Sequence, residues 1–254
     1  MWAVILGASS GFGAAAARAF AREGYNIVGV HLDRRNTQSA VDALAADVRA
    51  SGRQLRLFNI NAADDERRAE VIAAMQADIP TGGVRVLLHS LAFGTLAPLV
   101  GGKAVTRKQL EMTVDVMGNS LVYWTQDLVS TGLIGQGGRI FAMTSSGSHM
   151  AWTSYGPVSA AKSALEAHCR QLAVELAPLG ITTNAVLAGV TRTAALDKIP
   201  GSEALIEKAI ARNPHKRLTT PDDVAACLVD LARPGTHWLN GNVLRIDGGE
   251  DISG

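Results

Sequence analysis

A glycine-rich turn near the start of the chain has the residue types and spacing of a diphosphate site. Its glycines follow a GxxxGxG pattern, and the whole turn consists of Gly7, Ala8, Ser9, Ser10, Gly11, Phe12 and Gly13. Glycines permit a tight turn and a close approach of ligand to backbone, while the start of a following helix attracts phosphate through its N–H groups and dipole. Ordinary strand-to-helix turns share this pattern. Its place between an apolar run and a helical pattern favours the phosphate site.

Strand and helix patterns alternate along the rest of the chain, and these elements must position the turn. Aliphatic and β-branched runs predict buried strands at residues 2–6, 26–31, 55–60, 84–89, 139–144, 181–187 and 243–246. Apolar residues at helical spacing predict helices at residues 14–22, 39–50, 67–77, 110–129, 159–176 and 224–232. Parallel strands need crossover connections, and these are right-handed. The order therefore predicts an α/β fold with a Rossmann-type, doubly wound parallel sheet.

The length of 254 residues is sufficient for one sizeable core. We expect a single dinucleotide-binding and catalytic domain over residues 1–254. Residues 191–219 lack a clear period and contain Pro200, Gly201 and Pro214. This stretch predicts a lid over the substrate.

Composition and charge argue against several kinds of partner. Lys and Arg number 24 against 23 Asp and Glu, so no net field attracts nucleic acid or an anionic membrane. The two cysteines, Cys169 and Cys227, form no CxxC pair, and the six histidines show neither HxH nor HxxxH spacing. We therefore expect neither a disulfide framework nor a metal site. The N-terminus enters the glycine turn without a secretory pattern, and we expect a cytoplasmic protein.

With these motifs, the chain resembles the short-chain dehydrogenase/reductase family over nearly its whole length. Asn61 and Ala62 follow the third strand where that family contacts adenine, and Asp247-Gly248-Gly249 is similar to its closing motif. The resemblance implies an NAD(P)H-dependent oxidoreductase. It implies cofactor contacts from Gly7, Ser9, Ser10, Gly11, Phe12, Gly13, His31, Arg34, Asn61, Ala62, Ser90, Leu91, Ala92, Lys162, Gly189, Thr191 and Thr193.

The catalytic pair of this family departs here from its usual YxxxK spacing. Val158 stands four residues before Lys162 and has no proton to donate, whereas Tyr155 stands seven residues before it. Seven helical residues make nearly two turns, so both side chains face the same side roughly 10 Å apart. The YxxxxxxK spacing resembles the enoyl-acyl-carrier-protein reductase branch, which implies that Tyr155 and Lys162 are catalytic.

Three other segments resemble the same branch. A His-Ser turn, His89-Ser90, follows the fourth strand, and Asp115 occupies a helix position where ordinary members keep an asparagine. Ala188-Gly189 replaces the common Pro-Gly. We interpret His89 as a buried structural group rather than an acid or base.

The chemistry of conjugate reduction gives a reason for the wider spacing. Hydride adds to the β-carbon, while negative charge develops on the thioester oxygen two carbons further along. The hydroxyl donor must then lie further from the nicotinamide than in carbonyl reduction. Tyr155 would stabilise the enolate oxygen, and Lys162 would bind the nicotinamide ribose and favour the ionised phenol.

The roles of several neighbouring residues stay open. Ser145 matches the position of the family's catalytic serine, but it is equally a strand-end hydroxyl that caps local backbone. Phe93, Met150 and Trp152 line either an acyl pocket or an ordinary core.

The segment after the second strand contains opposing signals for the cofactor. Arg34 and Arg35 suit a 2′-phosphate, whereas Asp33 suits the ribose hydroxyls. Because His31 rather than an acid ends the strand, we predict a preference for NADPH.

These inferences combine into one functional hypothesis with two alternatives. We expect reduction of the carbon–carbon double bond of an enoyl thioester, carried by coenzyme A or by acyl carrier protein, in fatty acid biosynthesis. A carbonyl reductase or alcohol dehydrogenase of the same family is the first alternative, and a non-catalytic dinucleotide-binding sensor is the second. Family resemblance and the alanine-rich helices at residues 110–129 and 159–176 favour a homotetramer.

Overall fold

The computed structural model describes residues 1–34, 37–193, 196 and 201–253. Seven parallel strands form one sheet: β1 (Trp2–Leu6), β2 (Asn26–His31), β3 (Leu55–Asn59), β4 (Val84–His89), β5 (Ile134–Thr144), β6 (Thr182–Ala188) and β7 (Val243–Ile246). Their spatial order is β3-β2-β1-β4-β5-β6-β7. This is the predicted doubly wound arrangement, in which the direction of winding reverses beside β1.

Helices cover both faces of the sheet. They are α1 (Gly11–Arg22), α2 (Gln38–Ala50), α3 (Asp65–Asp78), α4 (Arg107–Val114), α5 (Ser120–Ser130), α6 (Gly156–Leu176), α7 (Ser202–Arg212) and α8 (Pro221–Leu231). Alternate residues of β1 face opposite sides, so Val4 packs with Trp124 and Leu165, while Ile5 packs on the other face with Phe20 and Leu228. Both faces are apolar, and this explains why β1 contains no polar residue.

The predicted helix over residues 110–129 contains a π-helical segment, Asp115–Asn119, between α4 and α5. Here Gly118 lies against α6, where a Cβ would be 3.1 Å from the carbonyl oxygen of Ala161. A single wide turn of this kind re-aims the side chains of a helix, and such turns are frequent at functional sites.

Two further differences from the predicted elements concern β5 and the predicted lid. β5 begins five residues earlier than predicted, because a register shift against β4 separates Ile134 from Arg139. Residues 191–219 contain α7, which their weak periodicity did not predict; residues 194, 195 and 197–200 of this stretch lie outside the described part. Among the described helices, none has the length and apolar character needed to cross a membrane.

Candidate active site

The glycine turn joins β1 to α1 with the geometry of an open phosphate cradle. Gly7 has a left-handed φ of 86°, and a Cβ on it would overlap the carbonyl oxygen of Ser90. A Cβ on Gly13 would overlap the carbonyl oxygen of Gly7. In the described structure the side chain of the N-cap Ser10 makes no capping hydrogen bond. The first N–H groups of α1 are thus available to a ligand, and the turn fits a dinucleotide diphosphate.

The loop after β6 reaches across the sheet edge to this turn. A Cβ on Gly11 would lie 3.5 Å from the Thr193 methyl group. Gly189, Thr191 and Thr193 line the same cavity as Phe12 of the turn. The structure therefore brings these predicted cofactor residues together at the carboxyl edge of the sheet, where α/β proteins of this type bind nucleotides.

The other side of the turn holds a fixed carboxylate. Asp33 Oδ2 lies 2.9 Å from Nδ1 of the buried His31, and the Asp33 N–H donates to Asn59 Oδ1 over 3.0 Å. Burial alone would raise the pKa of Asp33, but hydrogen-bonding interactions that include Ser9 and His31 lower it below its usual value. Arg34 is exposed, and Arg35 lies outside the described residues.

A small cavity of about 30 Å³ lies beside this group, at the ends of β2 and β3. Its walls include the predicted residues Asn61, Ala62 and Leu91. Phe93 also lines it and is 54% exposed. The sequence left Phe93 open between an acyl pocket and an ordinary core; in the structure it lines this small cavity and not the cavity that Tyr155 lines.

Tyr155 is the N-cap residue of α6, and its hydroxyl lies 3.5 Å from Ser145 Oγ at the end of β5. Its ring meets Trp152 edge to face at 5.4 Å. It also packs on Gly147, where a Cβ would overlap the ring. The preceding residue, Ser154, has a left-handed φ of 63°, an unfavourable conformation for serine. Burial raises the pKa of Tyr155, although its hydrogen bond with Ser145 acts in the opposite direction, so the phenol is protonated at neutral pH.

Lys162 lies two turns further along α6 and is 5% exposed. Its Nζ donates to the carbonyl oxygens of Met143 over 2.7 Å and of Leu91 over 3.2 Å. Burial lowers the pKa of Lys162 to about 8. The ammonium is thus held at the end of β4 and β5, close to the loop of Ser90, Leu91 and Ala92.

Tyr155 and Ser145 face a cavity of about 440 Å³. Most of its lining is apolar and comes from Phe12, Ala92, Leu96, Met117, Trp152, Val158, Ala188, Leu196 and Leu205. Of the other two residues that the sequence left open between an acyl pocket and a core, Trp152 lines this cavity. Met150 lines a neighbouring cavity of about 480 Å³ together with Trp152 and Arg212.

Two polar residues of the enoyl-branch segments lie outside the cavity. His89 is fully buried, with Nε2 2.9 Å from Ser120 Oγ, and burial together with the charge of Lys162 lowers the pKa of His89 to about 3. It is a neutral structural group, as expected. Asp115 accepts a hydrogen bond from the Tyr123 hydroxyl over 2.7 Å and so contacts α5 rather than Tyr155.

Glu250, a buried residue near the C-terminus, is a further residue of the site that no sequence motif indicated. Both of its carboxylate oxygens accept from the Val190 N–H, at 3.1 and 3.2 Å. This contact fixes the loop that carries Thr191 and Thr193. Only its place directly after the Asp247-Gly248-Gly249 motif could have indicated it.

Comparison with known families agrees with this geometry. A family model described as "Enoyl-(Acyl carrier protein) reductase" matches residues 7–250. The chain is a short-chain dehydrogenase/reductase. It is an NAD(P)-dependent oxidoreductase of that family.

Relatives of this short-chain dehydrogenase/reductase have different printed activities. L-rhamnose 1-dehydrogenase (NAD(P)(+)) of Azotobacter vinelandii is 31% identical over 252 residues, or 97% of this chain and 94% of that protein. Enoyl-[acyl-carrier-protein] reductase [NADH] of Aquifex aeolicus is 29% identical over 174 residues, or 68% of this chain and 64% of that protein. A short-chain dehydrogenase of Burkholderia cenocepacia, solved with NADP, superposes with a TM-score of 0.85 at 25% identity over 98% of this chain and 97% of that chain. The family is therefore common to these proteins, and the substrate is not.

Proposed function

We propose that this short-chain dehydrogenase/reductase reduces the carbon–carbon double bond of an enoyl thioester with NAD(P)H. The observation that carries the proposal is the place of Tyr155, seven residues before Lys162 with its hydroxyl at an apolar cavity. Val158, at the usual position of the family's tyrosine, contributes only a hydrocarbon wall to that cavity. The name of the A. aeolicus relative agrees with this chemistry.

The residues of the site suit charge development away from the carbon that accepts hydride. Bound NAD(P)H would supply the hydride to the β-carbon. Tyr155 donates a hydrogen bond to the thioester oxygen, on which the enolate charge develops, and its raised pKa keeps the proton in place for this task. Lys162 would hold the nicotinamide ribose through its ammonium group. A proton from solvent would then add to the α-carbon, which completes the saturated thioester.

One observation favours carbonyl reduction as the alternative. The hydroxyls of Ser145 and Tyr155 lie 3.5 Å apart, so both reach one substrate oxygen, as reduction of a ketone requires. The dehydrogenase name of the A. vinelandii relative agrees with this alternative.

A substrate panel separates the two reactions. We expect nucleotide oxidation with crotonyl thioesters, of coenzyme A and of acyl carrier protein, and at least tenfold lower kcat/KM with the matched acetoacetyl thioesters. With deuterated cofactor, mass spectrometry should locate deuterium on the β-carbon of the butyryl product. Preference for the acetoacetyl substrates would establish the alternative, and dinucleotide binding without turnover of either class would indicate a sensor.

The choice of cofactor is a further part of the proposal. The fixed Asp33 carboxylate next to Ser9 suits ribose hydroxyls and repels a 2′-phosphate, while Arg34 is exposed. We therefore propose NADH as the better cofactor, in place of the NADPH that Arg34 and Arg35 suggested.

The Asp33→Asn variant tests this preference because it removes the charge and keeps the shape. We expect kcat/KM for NADPH to rise at least tenfold relative to NADH. Asp42→Asn, an exposed change on α2, should leave the ratio unaltered. A wild type that prefers NADPH, or an Asp33→Asn variant with the wild-type ratio, would contradict the role of Asp33 and favour the arginines as the residues that select the cofactor.

A further inference from the structure

A buried arginine, Arg139, pairs with no carboxylate of the described residues and lies towards the end of the sheet opposite Tyr155. Arg139 is 2% exposed, and its Nη1 donates to the carbonyl oxygens of Gly137 and Gly138 at 3.0 and 3.1 Å. Within the described residues its Nε has no hydrogen-bond partner. Burial, followed by the positive charge of Arg85, lowers the pKa of Arg139. The buried positive charge of Arg139 is therefore incompletely compensated by hydrogen bonds and by opposite charge.

The register of β4 and β5 brings a second arginine to the same point. Val84 pairs with Ile134 and Val86 with Arg139, so the single residue Arg85 lies opposite residues 135–138. The Arg85 guanidinium packs against Gly137, whose φ is 84°, and a Cβ on that glycine would overlap it. Both guanidinium groups therefore contact one glycine, Gly137.

The surroundings of this pair are also basic. Arg85, Arg139 and Arg233 all act to lower the pKa of Tyr25, against the larger effect of burial, so the electrostatic surroundings of this region are positive. The negative charge of Glu23 acts to raise the pKa of Tyr25. Arg233 forms an ion pair with Asp230 at 3.1 Å. Among the ion pairs of the described residues, none includes Arg85 or Arg139.

We propose that Arg85 and Arg139 form a binding site for a small dianionic oxyanion, such as inorganic phosphate or the phosphoryl group of a metabolite. Two guanidinium groups offer forked N–H donors that match phosphate oxygens, and a dianion between them replaces their mutual repulsion with attraction. The site is separate from the glycine turn because it lies at the amino end of β4, beside the register shift of β5, whereas the turn follows the carboxyl end of β1.

Thermal unfolding with inorganic phosphate tests the site, with saturating pyridine nucleotide in every sample so that the glycine turn is filled. A ligand that binds the folded state alone raises Tm. For a chain of this length, we expect about 20 mM phosphate to raise Tm by about 2–4 °C over chloride of equal ionic strength. Phenyl phosphate, which carries an organic group, should act similarly if the anchor is phosphoryl.

Arg85→Gln is the decisive variant because Arg85 is only partly buried, and its loss should remove at least half of the phosphate effect. Arg22→Gln, which makes the same charge change at the exposed end of α1, should retain the effect. Arg139→Lys keeps the positive charge but removes the forked N–H donors of the guanidinium group, and it should also lose the phosphate effect. Equal phosphate stabilisation of wild type, Arg85→Gln and Arg22→Gln, or none in wild type, would overturn the proposal.

Discussion

At the scale of single residues, Tyr155 is the group on which the proposed chemistry depends. Replacement by phenylalanine keeps the ring on Gly147 and Trp152 and removes only the hydroxyl. We expect kcat to fall by about two to four orders of magnitude, as for loss of a general acid or oxyanion donor, with cofactor affinity nearly unchanged. Steady-state rates and a fluorescence titration measure the two effects. Near-normal turnover would remove Tyr155 from the mechanism.

The buried ammonium of Lys162 predicts that the affinity for NADH depends on pH. Its pKa of about 8 lies below the ordinary value of 10.5 because the side chain is buried. Its ammonium is therefore present at pH 7 and is lost as the pH rises through about 8. If it binds the nicotinamide ribose, the Kd for NADH measured by fluorescence should rise at least about fivefold between pH 7 and 9.5. Lys162→Met should bind weakly at both values, and a wild-type Kd that stays constant over this range would contradict the role.

At the scale of elements, the short turn after β5 positions the catalytic ring. This 3₁₀ turn, Ser146–Ser148, places Gly147 against Tyr155, and its carbonyl accepts from the Ser159 hydroxyl of α6. A methyl group on Gly147 would displace the ring, so Gly147→Ala should lower kcat at least about tenfold while the Kd for NADH changes little. Gly102→Ala adds the same methyl group where nothing lies within 4 Å and should have wild-type kinetics. Wild-type kcat in Gly147→Ala would show that the turn does not hold the ring.

At the scale of the whole molecule, we propose a homotetramer. Large apolar side chains remain exposed on the surface. Val174, in the C-terminal half of α6, is 71% exposed, and Trp238, which precedes β7 in the chain, is 89% exposed. Light scattering at micromolar concentration should give about four times 26.6 kDa. Val174→Glu should lower that mass, and Gln171→Glu on the same helix should not. A monomeric wild type would refute the assembly.

The sequence by itself determined the order of strands and helices along the chain and the glycine turn between β1 and α1. The catalytic roles of Tyr155 and Lys162 stay predictions. The order and the turn follow from local causes: apolar periodicity sets which residues are buried, and glycine alone tolerates the backbone of the turn at Gly7 and Gly13. The doubly wound parallel sheet then followed from the handedness of the crossovers, whereas the spatial order of the strands came from the structure. All predicted strands are present, with the main error at the start of β5.

Only the tertiary structure decided which side chains meet. No local pattern shows which cavity the side chains of Phe93 and Met150 line, because this depends on the turns after β4 and β5. Asp115 faces Tyr123 because a π-helical turn rotates the helix, and Asp33 became a guide to the cofactor through contacts with His31 and Ser9. Arg85 and Arg139, 54 positions apart, meet only because the register of two parallel strands brings them together. Such contacts depend on registers and turn directions summed over the whole fold, and no local pattern encodes them.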